Sequence, residues 1–235
     1  MLVCRSHSSH SDGDFEFFVY AQQWPPTVCV QADVTHKHQC RIPNNVTTWS
    51  VHGLWPSNHR GMGPSFCNKT AKFDPNAIRP IENLLLKFWP NLYTDEPLLQ
   101  FWEHEWDKHG TCAMTVPSLS NEYKYFNIGI KINNKLDVLG SLTKQGIVPK
   151  DGYTYPYTAV VMALKKAFKH TTILGCYYDT ETKTQYLISL EVCFNKKLEM
   201  IDCGHSGGSC RSSEPIAYPA FPLSHHGNDV LLSVN

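Results

Sequence analysis

Nine cysteines in 235 residues constrain this chain more than any other feature. They are Cys4, Cys29, Cys40, Cys67, Cys112, Cys176, Cys193, Cys203 and Cys210. None forms a C-x-x-C pair, which argues against a zinc ribbon or a thioredoxin-type redox site. So many cysteines without metal-ligand spacing read as disulfides, which persist in oxidising compartments. Two N-x-T sequons, at Asn45 and Asn68, point the same way and are expected to carry glycans. Eight cysteines make four bridges, with Cys4 the odd one, in a polar leader running to Asp14. Spacing alone does not choose among the roughly 100 ways of pairing eight cysteines. The opening Met1-Leu2-Val3-Cys4-Arg5 has no apolar h-region, so no signal peptide is visible in this sequence. The expected location is extracellular, or a lysosome-like acidic compartment.

The bridges need a scaffold, and the apolar pattern supplies one. Hydrophobic residues make up 42% of the chain, ample for a core, but no apolar run approaches the roughly 18–20 residues of a membrane span. No stretch has the composition of a linker, which leaves a single domain over 15–210. Residues 1–14 read as a disordered leader and 211–235 as a loosely ordered tail. Residues 15–24 read as a strand ended by Pro25-Pro26, and 46–52 alternate with His52 close to the strand's end. Helical spacing runs through 76–89, 97–109, 118–137 and 154–169. Alternation returns over 172–178 and 184–194, with a short strand expected near 197–202. Helices with mostly antiparallel strands predict an α+β fold: a central, mainly antiparallel sheet flanked by helices and held by four disulfides.

Lysine plus arginine equals aspartate plus glutamate, at 21 each. That balance argues against a nucleic-acid coat protein, which would carry a basic excess. It leaves room for an enzyme that grips one phosphate in a cleft. Protonating all 12 histidines would carry the charge from zero to +12, so polyanions would be attracted far more strongly in acid.

The densest chemistry is FWEHEWDKHGTC, residues 101–112. At 100° per residue Glu105 and His109 share a helical face, as do His104 and Lys108, so the four can line one cleft. A solvated charged face over an aromatic core stripe is the bland alternative for this segment alone. A metalloprotease would need H-E-x-x-H; here His104 and His109 are five apart and converge poorly on one ion, so no metal is expected. A second histidine, His52 in TTWSVHGLWPS, completes the set for cutting an RNA phosphodiester. One neutral imidazole takes the 2′-OH proton and one imidazolium protonates the leaving 5′-oxygen. Cations and a hydrogen-bonded acid steady the phosphorane. The substrate carries its own nucleophile, so no cofactor is needed. Lys108 should lower the His109 pKa and Glu105 should raise it, a balance the sequence leaves open.

WSVHGLWPS and FWEHEWDKHGTC resemble the two active-site signatures of the ribonuclease T2 family, and FVYAQQWPPTVC resembles its opening strand. The resemblance covers roughly Phe15 to Cys210. It implies an α+β fold and endonucleolytic cleavage of single-stranded RNA through a 2′,3′-cyclic phosphate. By motif position it makes His109 the general base and His52 the general acid. It also assigns His104 to phosphate binding, and Glu105 and Lys108 to transition-state stabilisation. Trp55 resembles the residue that stacks on the base 5′ to the cut. Many fungal members carry an acid two positions later, where this chain has Ser57. Gln23 and Phe101 resemble positions of the second base site. The animal branch implies the pairings Cys29–Cys40, Cys67–Cys112, Cys176–Cys210 and Cys193–Cys203. A monomer is expected, with a glycan-reading receptor as a candidate partner. The competing class is a secreted binding or signalling protein on the same scaffold. Degenerate members lose a catalytic histidine, and this chain has both.

Overall fold

The computed structural model describes residues 14–60, 62–204 and 208–222. Residues 1–13, including Cys4, lie outside it, and the leader expectation rests there. The fold is α+β, with seven strands among the described residues in one mixed sheet. Strand β1 (Phe17–Gln23) pairs antiparallel with β2 (Ser50–Ser57) on one side and with the long β5 (Thr184–Phe194) on the other. Strands β4 (Ile173–Asp179) and β6 (Met200–Ile201) also pair antiparallel with β5. The edge runs from β5 through β7 (Ile216–Ala217) to β3 (Thr154–Tyr155), and β5–β7 is the one parallel pairing described.

Alternation on β1 sends its two faces to different tasks. Phe18, Tyr20 and Gln22 point into the helix-covered core, at 0%, 0% and 1% exposure. There the Tyr20 hydroxyl donates to Gly129 O at 2.9 Å and Gln22 Nε2 donates to Asn133 Oδ1 at 2.6 Å, both on α6. Phe17 and Val19, on the other face, line an open groove. The helices are α1 (Pro25–Thr35), α2 (Pro75–Ile78), α3 (Glu82–Phe88), α4 (Gln100–Glu105), α5 (Thr111–Ala113), α6 (Glu122–Leu136), α7 (Val138–Thr143) and α8 (Tyr157–Phe168).

Several expected boundaries move, each for a local reason. Pro25-Pro26 ends β1 as expected but also opens α1, because proline's fixed φ suits the first helical turn. The stretch 76–89 is interrupted by a 3-10 turn at Arg79–Ile81, since Pro80 cannot continue an α-helix. Residues 154–169 begin as β3 and turn helical only after Pro156. The stretch 97–109 starts its helix at Gln100 and changes hydrogen-bond pattern after Glu105.

The tail needs a larger correction. Residues 211–222 are not loosely held: Ile216 and Tyr218 are buried at 0% and 1%. Two distant tryptophans grip the segment. Trp49 Nε1 donates to the Tyr218 hydroxyl at 2.8 Å and Trp24 Nε1 donates to Pro219 O at 2.9 Å. A polar, proline-rich composition hid this anchoring; residues 223–235 lie outside the described chain.

The disulfides join Cys29–Cys40, Cys67–Cys112, Cys176–Cys210 and Cys193–Cys203. Cys67–Cys112 spans 45 residues and binds the loop after β2 to the end of the His109 segment. The other three clip α1 to its following loop and secure β4 and β5 to the C-terminal segment. No helix of the described residues is long and apolar enough to cross a membrane.

Candidate active site

His52 belongs to β2, but the ladder to β1 slips at its position. Ala21 faces Gly53 and Gln22 faces Val51, leaving His52 as the extra residue of a β-bulge. A bulge re-aims side chains and is a recurrent feature beside active sites. Its consequence here is a change of phase: His52 and Trp55, three residues apart, meet edge to face with ring centroids 5.1 Å apart. In an unbroken strand an odd spacing would send them to opposite faces.

The second half of the site comes from α4 and the π-helical turn Trp106–Gly110 that extends it. Such turns are rare and cluster at functional sites. Glu105 is buried at 2% exposure beneath Trp55, whose Nε1–H donates to Glu105 Oε2 at 2.9 Å. His109 packs against the same indole with centroids 5.5 Å apart. Thus one tryptophan from β2 seats both imidazoles and a carboxyl group. Gly53 makes this close approach feasible, since a Cβ there would overlap both Trp55 Nε1 and Glu105 Oε2. His104 is exposed, while Lys108 and His109 are partly buried. Of the four segment residues named from helical spacing, Lys108 and His109 line a groove, Glu105 lies buried under Trp55 and His104 is exposed, all on a widened turn rather than an ideal α-helix.

Indole hydrogen bonds brace the frame, and each of the six tryptophans has an N–H partner. Trp102 Nε1 donates to Trp89 O at 2.7 Å, and Trp89 Nε1 donates to His52 O at 3.0 Å, linking α4 to the bulge. Trp106 Nε1 donates to Ala71 O at 2.8 Å, and Phe66 N donates to Lys108 O at 2.9 Å, docking the loop after β2 on the π turn. Trp102 and Trp106 are thus core and frame. Trp55 and Phe101 remain partly exposed, with Phe101 6.0 Å from His52 between ring centroids. Gln23 stands at the end of β1, opposite Ser50 and Ser189, and has no hydrogen bond to the histidines among the described residues.

Burial sets the electrostatics. The Glu105 carboxyl is pushed up to about 8 by desolvation, against the Trp55 hydrogen bond and the Lys108 charge. Desolvation brings His52 down to about 4, and His104 and Lys108 push the same way. His109 falls to about 3, first through desolvation, then through Lys108, His104 and His52. His104 is lowered as well, by desolvation and Lys108. The expectation that Glu105 would raise the His109 pKa fails for a physical reason. A carboxyl neutral below about pH 8 exerts no Coulombic pull on an imidazole at acid or neutral pH. Glu105 is therefore a hydrogen-bond donor in waiting, and Lys108 is the site's fixed positive charge. The buried Nδ1 of His109 has no partner among the described residues.

A groove of about 540 Å³ opens beside the histidines and runs over the β1–β5 face of the sheet. Trp55, Ser57, Lys108 and His109 line it together with Phe17, His59, Ile173 and Glu191. His59 stacks on Phe17 with centroids 4.7 Å apart. Phe17, His59 and Glu191 escape a sequence reading. The one available signal is Glu191 itself, an acid inside the strand pattern SLEVCF, and its neighbours come from β-pairings that no local pattern encodes. Among the described residues no group of histidines, cysteines and acids is arranged to hold a metal ion.

The sequence matches the family model described as "Ribonuclease T2 family" over residues 15–203. Among curated proteins it is 41% identical to "Ribonuclease Oy" of Magallana gigas, over 88% of this chain and 97% of that one. Two solved structures share the fold. RNase NT in complex with 5′-AMP has a TM-score of 0.75 and 29% identity, covering 88% of this chain and 100% of that one. A mutant of RNase MC1 in complex with 5′-UMP has a TM-score of 0.73 and 31% identity, covering 85% and 97%.

Proposed function

The chain belongs to the ribonuclease T2 family and is a T2-type endoribonuclease, and on that premise we propose how its site divides the chemistry. The substrate is single-stranded RNA. His109, neutral, takes the proton from the 2′-OH, whose oxygen attacks phosphorus. As the P–O5′ bond breaks, protonated His52 delivers a proton to the leaving oxygen. A 2′,3′-cyclic phosphate results, and its hydrolysis runs the same proton transfers in reverse with water in place of the leaving alcohol. Lys108 offsets the charge of the phosphorane, and neutral Glu105 donates a hydrogen bond to a phosphoryl oxygen. His104, at the exposed edge, meets the phosphate. Trp55 offers its open face to the base 5′ to the cut, with Gln23 and Phe101 on the 3′ side.

The observation that carries this reading is the packing of His52 and His109, 57 residues apart in sequence, against one indole at 5.1 and 5.5 Å. His52→Phe keeps the aromatic contacts and removes the proton donor. Turnover on a dinucleoside phosphate should fall by about 10²–10⁴ while the circular dichroism spectrum is retained. A folded variant with near wild-type turnover would remove His52 from the mechanism. In the wild type, products ending in cyclic phosphate are expected on simple RNA.

The compartment belongs to the same proposal. Four disulfides favour an oxidising environment, outside the cell or in an acidic organelle reached by the secretory route. Asn45 is exposed, and Asn68 Oδ1 accepts from Thr70 N at 3.0 Å and Thr70 Oγ1 at 2.7 Å, which leaves its Nδ2 for a glycan. Such glycans would offer a receptor its handle on a monomeric enzyme. Retention of both histidines favours this enzyme over a binding protein that has lost its chemistry.

A further inference from the structure

We propose that Glu191 selects guanine at the base position 5′ to the scissile phosphate by accepting hydrogen bonds from the guanine N1–H and 2-amino group. The proposal rests on the reading of Trp55 as the stacking platform for that base. It concerns what the far side of the same groove does.

The β-register places Glu191 there. Glu191 pairs with Ala21 and Ala21 with Gly53, while Cys193 pairs with Val19 and Val19 with Trp55. Glu191 and Trp55 therefore stand on one face of the sheet, two strands apart and one diagonal step along. Two strand spacings amount to about 10 Å, room for a base stacked on the indole to be met edge-on by a side chain from β5. Both residues line the 540 Å³ groove, together with His109 and Lys108, which would hold the attached phosphate.

Among the polar side chains of the groove, which include Asn58, Ser65, Lys108 and His109, an ionised Glu191 is the one that only accepts hydrogen bonds. The Ser57 hydroxyl donates to Trp55 O at 3.0 Å, so the position where an acid would be met instead carries a committed hydroxyl. The His59 ring stacks on Phe17 and its backbone N donates to Glu16 Oε2 at 2.6 Å. Glu191 is the one carboxylate lining the groove among the described residues, and its oxygens have no hydrogen-bond or ion-pair partner among them. It is partly buried beside Ile173 and Cys193, and desolvation raises its pKa. A half-buried carboxylate without partners is costly unless a ligand supplies donors.

Base chemistry then discriminates. A carboxylate only accepts, and its two oxygens suit two adjacent donors. Guanine presents N1–H and the 2-amino group side by side. Adenine and cytosine place one amino group next to a ring nitrogen acceptor, and uracil flanks its single N–H with two carbonyls. Charge-assisted pairs of this kind commonly change binding by about ten- to a hundredfold.

The test uses kcat/KM at neutral pH, on the alkaline side of the acid optimum and where the proposal needs Glu191 ionised, on dinucleoside phosphates with guanosine, inosine, adenosine, cytidine or uridine 5′ to the bond and uridine 3′. Wild type should prefer guanosine over uridine by about tenfold or more. Inosine lacks only the 2-amino group and should lose much of that preference. In E191Q, whose amide keeps one accepting oxygen but sets a donating NH2 against the second guanine donor, the guanosine-to-uridine ratio should collapse by about tenfold. A wild-type enzyme indifferent to guanosine against inosine would overturn the proposal without any variant. So would an E191Q enzyme with unchanged base ratios, or with one common loss on all five substrates, the mark of a structural role. If wild type cleaved none of the five, or His52→Phe cleaved them as well as wild type, the catalytic reading itself would fall. Unchanged ratios in E191Q beside an inactive His52→Phe would sink only the base assignment.

Discussion

Lys108 lies close enough to His52, His104 and His109 to depress all three imidazoles, and its removal gives the sharpest test of the site's electrostatics. Burial, with Lys108 and His104 beside it, brings His52 down to about 4 and His109 to about 3, so the acid form of His52 that the mechanism needs is populated only in acid solution. The kcat/KM profile reports the free enzyme and should be bell-shaped, with its optimum well on the acid side of an ordinary imidazole's 6.5. At pH 7 only a small minority of molecules would carry the proton on His52. Lys108→Met raises both values. Burial remains the larger cause, so at most about half of the His109 depression can be recovered, and less for His52, where Lys108 ranks behind His104. The optimum should therefore move about one unit toward neutrality while the peak height falls, because the phosphorane loses its cation. The assay is kcat/KM on a dinucleoside phosphate from pH 3 to 8, which avoids the long-range attraction between RNA and a charging protein surface. Stability must be followed in parallel. Imidazoles depressed in the fold contribute stability that is present above about pH 6.5 and drains away as pH falls through their folded values. An optimum that stays in place or turns more acidic in folded Lys108→Met would refute the argument that this charge sets the pair.

Three further outcomes follow from the same frame. Gly53→Ala drives a methyl group into the Trp55–Glu105 hydrogen bond, so unfolding free energy should drop by about 1–3 kcal/mol. The Trp55 fluorescence environment and turnover should change together, and a variant as stable and active as wild type would contradict the close packing. Replacing Cys67 and Cys112 together by alanine opens a loop of 45 residues and should cost about 4 kcal/mol in denaturant melts, with larger losses of activity than of helix content. In Glu105→Gln the amide oxygen can still accept from Trp55, but nothing ionises. The native carboxyl, raised to about 8, contributes stability that is intact below about pH 4.5 and is lost as pH climbs through 8. Thermal melts should therefore show variant and wild type alike near pH 4 and the variant more stable at pH 9; parallel curves at both would place the carboxyl in water.

Much of this protein is written locally. Cysteine count and the lack of metal spacing dictated a disulfide framework. The period of apolar residues separated strands from helices, because side-chain direction follows backbone repeat regardless of distant partners. Two short motifs carried the chemical groups, since His52, Glu105, Lys108 and His109 owe their reactivity first to residue type. Other features exist only in three dimensions. The bulge at His52 arises from the register of β1 against β2, and it alone brings His52 and Trp55 to the same face. The π turn after Glu105 and the burial of that carboxyl reversed the expected influence of Glu105 on His109. The segment 211–222 reads as a tail until Trp24 and Trp49, nearly 170 or more residues earlier, take hold of Tyr218 and Pro219. Glu191 faces Trp55 only because β1 lies between their strands. Residue type and spacing encode which groups are present and how each segment repeats. Long-range pairing decides which groups meet and how much water remains around them, and burial then sets their charge.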